Sequence, residues 1–306
     1  MLHNFKRLIA KGIVNCASII SPSLGSKLLI RLKLKRKLNL KNPRLFNDKI
    51  QYLKLNGDID FMQKCADKYA VREYLKEIGY SEILTKVYQV CDKPEEIDYD
   101  KLPQKFALKC NHGCGCNIIV KDKSKLDIKK TNKQLKKFLR KDYSKIFGEI
   151  QYRHIPRKII VEEFIETSDG LEPSDYKFYS FNGDVECVMV CVGRENGHGK
   201  AKYYFFDKKW NLLRINPAGR NAPEGFTIPK PKKMDEMWKI AEELSSGIPF
   251  VRVDLYCEKD KIYFGELTFT PSAGADENLG PVEETWGDKI VLPKKGDKYE
   301  DNRISN

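Results

Sequence analysis

The sequence predicts an α+β fold, on three observations. Strand-like runs come as hairpins: 175–181 returns through 185–192 across Asn182-Gly183, and 251–256 returns through 261–267 across Glu258-Lys259-Asp260. Asn-Gly between alternating apolar runs is a strong hairpin signal. Segments of helical period stand apart from these runs, at 1–40, 46–54, 67–75, 121–145 and 234–244. Finally, 41% hydrophobic residues, with 15 Tyr, 15 Phe and 3 Trp in 306 residues, suffice for a real core, in two domains or one elaborated unit.

The formal net charge is +13. That balance favours polyanionic partners (nucleotide phosphates, nucleic acid, an acidic glycan or an anionic membrane face) without choosing among them. The nine cysteines are odd in number, and Cys187, Cys191 and Cys257 sit in apolar strand-like runs. This is the usage of a reduced compartment, with Cys as a small core residue. No run approaches the roughly 18 apolar residues needed to span a bilayer. Residues 8–20 are apolar, but Lys11 and Asn15 interrupt them and no small-residue cleavage site follows, which argues against a signal peptide. The expected location is the cytoplasm.

Taken in order, residues 1–40 alternate Lys and Arg with Leu and Ile at near-helical spacing. A basic amphipathic helix on an anionic membrane is one reading, giving a peripheral contact at the inner membrane face. A helical arm packed on the body with its Lys side chains in water is preferred, because an apolar face without bulk holds lipid weakly. Asn42-Pro43 breaks the arm. A second helix starts at Phe46, and a third covers 67–75 and is ended by Gly79. Residues 87–90 read as a strand and 94–103 as an exposed loop.

The strand 106–110, containing Lys109, runs into Asn111-His112-Gly113-Cys114-Gly115-Cys116-Asn117 and out into the strand 118–120. Strand, Gly-rich turn, strand is the layout of a loop whose backbone N–H groups fold over phosphates. It is not a Walker loop, since GxxxxGK[ST] is absent and no helix follows directly. Cys110, His112, Cys114 and Cys116 raise zinc as an alternative, but their spacing is tighter than a CxxC knuckle and no second pair lies downstream. The basic stretch 121–145 reads as a surface helix. No aromatic platform or recognition motif accompanies it, so no nucleic-acid partner is expected. A strand at 158–166 ends in acid residues, 193–200 reads as a mobile loop, and the polar tail beyond 290 is expected to fray.

In the last hairpin, alternation places Arg252 and Asp254 on one face of the first strand, and Glu266 and Thr268 share a face of the second. Asp254 and Glu266 could thus lie opposite one another. Two carboxylates so placed repel unless a cation lies between them, and hard oxygen ligands suit Mg²⁺ carrying nucleotide phosphates. Scattered charges on a solvated hairpin are the plain alternative.

These pieces have an order. Asp67-Lys68 precedes Lys109 and its Gly-rich hairpin, then Val161-Glu162-Glu163-Phe164-Ile165, then Arg252-Val253-Asp254 and Glu266-Leu267-Thr268. That order resembles the ATP-grasp superfamily of carboxylate–amine ligases. With Asn42-Pro43, Phe46-Asn47-Asp48-Lys49 and Asp175-Tyr176-Lys177-Phe178, it resembles more specifically the TupA-like, teichuronopeptide-biosynthesis family, over roughly residues 40–285.

The resemblance implies an ATP-grasp fold, two α+β subdomains clasping ATP behind an N-terminal helical arm. The arm would be 1–60, the subdomains 61–160 and 161–290, and the tail 291–306. It implies ATP and Mg²⁺ as cofactors. Lys68 and Lys109 would neutralise phosphates, with Gly113 and Gly115 letting the backbone close on them. Glu162 would accept from the adenine amino group, with the backbone of Phe164 and Ile165 completing the adenine edge. Asp175 would reach the ribose and Lys177 a phosphate. Asp254, Glu266 and Thr268 would hold Mg²⁺, and Arg252 would stabilise negative charge on an acylphosphate and a tetrahedral intermediate. The superfamily usually has Asn where this chain has Thr268; a shorter neutral hydroxyl weakens the second metal position and leaves one or two ions open.

The implied activity is ATP-dependent amide formation between an acidic carboxylate substrate and an amine donor, glycan- or peptide-linked, during assembly of a capsule or teichuronopeptide-like polymer. A glycosyltransferase or a kinase of a polysaccharide cluster is the alternative. The former would need a sugar-nucleotide site with an Asp-x-Asp metal motif, and the latter would transfer phosphate to a hydroxyl.

Overall fold

The computed structural model describes residues 2–167, 173–193, 201–294 and 296–299. The expected loop at 193–200 lies almost wholly outside these residues. The chain opens with a helical hairpin, α1 (Leu2–Ile20) and α2 (Pro22–Lys33), turning at Ser21 with Pro22 in the first turn of α2. Gly25 sets how closely the two helices pack, since a Cβ there would lie 1.9 Å from the Ser18 Oγ. Three helices follow: α3 (Phe46–Asn56), α4 (Ile59–Ala66) and α5 (Ala70–Glu77).

The first sheet has four antiparallel strands: β1 (Val87–Cys91), β2 (Phe106–Cys110), β3 (Asn117–Val120) and β4 (Ile159–Glu163), in the order β1-β4-β2-β3. Between β3 and β4 lies α6 (Ile128–Leu139), capped by Asp127, whose side chain accepts from the Lys130 N–H. The basic stretch is thus helical over only half its length. Its apolar positions Leu135 and Phe138 cover Phe106, Leu108 and Val161 of the sheet, while its Lys face stays in water.

The second sheet has six strands in the order β10-β9-β5-β6-β7-β8: β5 (Asp175–Phe181), β6 (Asp184–Val192), β7 (Lys202–Phe206), β8 (Leu212–Leu213), β9 (Val251–Glu258) and β10 (Lys261–Thr268). After β8 come the short α7 (Pro217–Arg220) and then α8 (Met234–Leu244). The β5–β6 turn has positive φ at both Asn182 (49°) and Gly183 (88°), the backbone whose twist suits a two-residue hairpin.

The two faces of this sheet do different things. Phe178, Val188, Val253 and Leu255 point to one side and pack on Trp238, Met237 and Leu244 of α8 and on Tyr74 and Leu75 of α5. On the other side, Tyr179, Phe181 and Phe205 meet Phe46 of α3 and Trp286 of α9 (Glu283–Lys289) in a chain of edge and tilted ring contacts 5.0–6.4 Å apart. Sequence reading missed α9, because its seven residues are polar except at Trp286. The aromatic cluster fills half of this face. The other half, from Asp175 and Lys177 across to Arg252, Asp254, Glu266 and Thr268, is polar and faces a cavity.

Residues 298 and 299 of the expected tail pack on the body. Lys298 donates to Asp58 and Asp60, and the Tyr299 ring packs edge-on against Phe61. Among the described residues no helix is long and apolar enough to cross a membrane.

Candidate functional site

A cavity of about 1460 Å³ separates the two sheets. Its floor is the β9–β10 hairpin. Lys259 and Asp260 form the turn with φ of 51° and 58°, so counting back from it would put Gly265 opposite Asp254. A bulge at Gly265 intervenes, and Glu266 pairs with Asp254 and Thr268 with Arg252. A Cβ at Gly265 would lie 2.8 Å from the Asp254 carbonyl oxygen, so the bulge requires glycine. Without it Glu266 would turn towards α8 and the apolar core. The extra residue is what brings the two carboxylates onto one face.

Asp254 is buried and held from two sides. Arg252 donates from Nε to Oδ1 and from Nη2 to Oδ2, both at 2.7 Å, and Lys177, directly opposite on β5, donates to Oδ2. Lys177 also pairs with Asp175 at 2.7 Å. Thr268 donates to Glu266 Oε1 at 2.9 Å and accepts from Arg252 Nη2 at 3.2 Å, so the hydroxyl orients both neighbours. Burial opposes the charge on Arg252, but the Asp254 carboxylate outweighs it and lifts the guanidinium well above its ordinary value. Lys177 is raised in the same way, by Asp254 against burial and the neighbouring Arg252.

Glu266 is the open carboxylate, with 39% of its side chain exposed. Its surroundings push it upward by desolvation, yet Lys68, Arg252 and Lys177 together bring it down from 4.5 to about 2. A carboxylate with a depressed folded pKa stabilises fully above its unfolded value and loses that contribution as pH falls through the folded one. Melting temperatures of wild type and Glu266→Gln should therefore differ by a constant amount above pH 4.5 and converge as the pH falls towards 2.

The second sheet supplies the roof. Lys109 on β2 pairs with the buried Glu162 on β4, which also accepts from Thr85 Oγ1 at 2.8 Å and lies 3.8 Å from Arg72. Burial raises the Glu162 carboxyl, and Lys109, Thr85 and Arg72 bring it below its ordinary value. Its oxygens are thus engaged, and accepting from an adenine amino group would require one of these partners to yield. Lys68, in the turn between α4 and α5, donates to the Gly113 carbonyl at 2.6 Å and so ties the Gly-rich loop to the cavity wall.

The two loop glycines serve different ends. Gly115 has φ of 64° with open space around it, so the backbone conformation itself selects glycine. Gly113 is buried, and a Cβ there would fall 2.2 Å from the ring of Tyr143, whose hydroxyl donates to the Cys114 carbonyl. Gly113→Ala should therefore displace Tyr143 and destabilise the fold by about 1–3 kcal/mol, measurable by urea unfolding. Cys110, His112, Cys114 and Cys116 do not converge, and no three His, Cys, Asp or Glu among the described residues form a metal-binding group. His112 Nε2 meets the Lys141 carbonyl and Cys116 Sγ meets the Tyr143 hydroxyl.

Lys68, Lys109, Gly115, Glu162, Asp175 and Lys177 line this one cavity, as do Arg252, Asp254, Glu266 and Thr268. Gly113 lies behind the loop, and Phe164 and Ile165, just past the end of β4, do not line the cavity. Sequence reading missed Arg72, Thr85 and Glu149. Glu149 sits on the wall, accepts from Thr270 Oγ1 at 2.6 Å, and is raised by burial against the pull of Lys54. Lys54 is fully buried, donates to the Phe147 carbonyl and is lowered by desolvation to about 8. Their signal in the sequence was only a Lys in a helix and a Glu in a loop.

A family model described as TupA-like ATP-grasp matches residues 48–291, roughly four-fifths of the chain. The chain belongs to this family. Membership gives it the ATP-grasp fold and places it in a superfamily of ATP-dependent ligases. No functionally curated protein matches the chain. Similar solved structures include D-alanine–D-alanine ligase from Bacillus anthracis complexed with ATP, 14% identical, covering 81% of this chain and 68% of that one, with TM-score 0.44. The ATP-grasp ligase PsnB, complexed with a phosphomimetic precursor variant, Mg and ADP, is 13% identical, covering 75% and 60%, with TM-score 0.39. Carboxyaminoimidazole ribonucleotide synthase from Aspergillus clavatus, complexed with ATP, is 14% identical, covering 78% and 55%, with TM-score 0.40.

The Asp-x-Asp triplets of the chain, Asp58-Ile59-Asp60 and Asp98-Tyr99-Asp100, do not line the cavity. Asp58 caps α4 and meets Lys298, and Asp98 pairs with Lys101. Neither offers the metal site that a sugar-nucleotide enzyme would need.

Proposed function

We propose that this TupA-like ATP-grasp protein joins a carboxylate to an amine at the expense of ATP. The observation that carries the reading is the convergence of Arg252, Lys177, Lys68 and Lys109 with the carboxylates Asp254 and Glu266 on one cavity between two sheets. Four cations suit a triphosphate and a carboxylate substrate, and two carboxylates suit a divalent ion beside them.

The donor set fits Mg²⁺ in part as it stands. Glu266 is exposed and ionised, and Thr268 already orients it; Asp254 would have to share its oxygens with Arg252 and Lys177. When bound, the ion would screen phosphate charge and polarise the γ-phosphoryl group. Lys68 and Lys109 act as compact point charges on the phosphates, beneath a loop that Gly115 allows to fold. Glu162 keeps Lys109 in place. Asp175, on the cavity wall, meets the ribose.

The γ-phosphoryl group passes to a substrate carboxylate oxygen, giving an acylphosphate and ADP. The amine attacks the acyl carbon, a proton leaves the nitrogen, and the C–O bond to phosphate breaks. Arg252, fixed by its fork on Asp254, faces the negative charge that grows on the acyl oxygen. Glu149, with its carboxyl raised, stands on the wall where that proton could be taken.

No disulfide joins the cysteines among the described residues, which fits a reducing cytoplasm where ATP is supplied. The acceptor belongs to a capsule or teichuronopeptide-like polymer, its carboxylate or amine carried on a glycan or peptide, and Ser272 and Ala273 on the cavity wall help to select it. The test is ADP release against a panel of amino acids and uronic-acid acceptors. Release that depends on one carboxylate and one amine together supports the reading, and release indifferent to both refutes it.

A further inference from the structure

Residues 1–47 contain eleven Lys and Arg and no Asp or Glu, whereas the other 259 residues carry 45 basic against 43 acidic side chains. Nearly all of the net charge of +13 therefore resides in the N-terminal arm. The rest of the molecule is close to neutral.

The arm is also apolar on its outside. Val14, Ala17 and Ser18 of α1 are buried; Val14 joins Leu29 and Ile30 of α2 and Ala275 in a small core. That inner side is firmly attached: Asn15 accepts from the Phe147 N–H, and Lys33 donates to the Ala275 carbonyl at 2.9 Å. The opposite side of α1 presents Ile9, Ile13, Cys16 and Ile20 at spacings of four, three and four, a single helical stripe flanked by Leu8 and Ile19. The five Leu and Ile side chains are 48–80% exposed. Among the side chains described, Lys11 and Asn15 are the polar ones that border this face. At the hairpin tip Leu24 is exposed as well, and on α2 Lys27 and Arg31, one turn apart, are exposed and make no salt bridge among the described residues.

An apolar stripe on a helix that is packed on its other side is not explained by folding. Its combination with unpaired basic residues and no acid is the pattern of a helix lying in a bilayer interface. A second copy of the chain would have to bring two strongly positive arms together, which like-charge repulsion opposes. We propose that the α1–α2 hairpin lies on an anionic lipid bilayer, with Ile9, Ile13, Ile19 and Ile20 at the headgroup–acyl boundary and Lys27 and Arg31 on the headgroup phosphates. The contact is peripheral. Because Val14, Leu29 and Lys33 on the inner side of the same hairpin line the cavity, docking holds the cavity beside the membrane surface. This inference stands independently of the ligase reading.

The full-length protein is mixed with phosphatidylcholine vesicles, or with the same vesicles containing phosphatidylglycerol, and the bound fraction is read by sedimentation. The expected result is binding to the anionic vesicles that falls with added salt and is weak on neutral ones. Ile13→Asn with Ile20→Asn, and separately Lys27→Glu with Arg31→Glu, should each lower the partition coefficient by about tenfold or more. All four side chains are exposed, so the melting temperatures should stay at the wild-type value and show that folding is intact. Equal binding to neutral and anionic vesicles would overturn the proposal. So would unchanged binding in the isoleucine variant, which would reduce the contact to charge adsorption. A concentration-dependent dimer without vesicles, abolished by the isoleucine changes, would assign the face to a second copy instead.

Discussion

Arg252→Ala is expected to lower amide formation by about 10²–10³-fold, as removal of a charge-stabilising donor does elsewhere. Nucleotide should still bind, because Lys68 and Lys109 lie on other elements. The side chain is only 12% exposed and its fork holds both oxygens of Asp254, so its loss leaves that carboxylate with Lys177 alone. Breaking a buried pair in this way destabilises by about 3–5 kcal/mol. Arg252→Lys separates the two effects: it keeps a positive charge beside Asp254 and so most of the stability, but lacks the planar fork that fixes its direction. Rates of amide formation and melting temperatures of both variants are the measurements. Wild-type turnover in both would remove Arg252 from the reaction.

Glu266→Gln should uncouple nucleotide binding from Mg²⁺. Free ligand at 100 times its dissociation constant stabilises a protein by about 2.7 kcal/mol, which appears as a rise in melting temperature. For wild type that rise with ATP should require Mg²⁺ and vanish with a chelator; in Glu266→Gln most of it should be missing with or without the ion. Asp254→Asn should show the same loss, with the melting temperature before any ligand is added lowered further than in Glu266→Gln. Asp254 already balances Arg252 and Lys177 in a buried cluster, whereas Glu266 is exposed to the cavity. If Glu266→Gln retained the full Mg²⁺-dependent rise, the ion would be held elsewhere.

Much of the fold was legible because its signals are local. Asn182-Gly183 dictates a hairpin, and the alternation of 251–256 separates the core side of β9 from the cavity side. The pairing of Asp254 with Glu266 is a subtler case. Counting from the turn would misalign them by one residue, and only the Gly265 bulge restores the pair. A glycine inside an apolar strand run is the trace that such a bulge leaves in a sequence. Lys54 and Glu149 could not be foreseen, because they interact electrostatically across a sequence separation of 95 and neither stands in a motif. The preference for a helical arm packed on the body captured its inner side and missed its outer one. Periodicity locates apolar residues on a helix, but which apolar stripe finds a partner is decided by the rest of the fold.

The central claim is that phosphate from ATP activates a carboxylate that an amine then consumes. Once the panel assay has found an active pair, the carboxylate is labelled with ¹⁸O and the released phosphate is analysed by mass spectrometry. An acylphosphate route transfers one labelled oxygen to phosphate and yields a product equal to the two substrates less one water. Unlabelled phosphate beside that amide would contradict the acylphosphate step, and label retained in a product that has gained a phosphoryl group would make the protein a kinase.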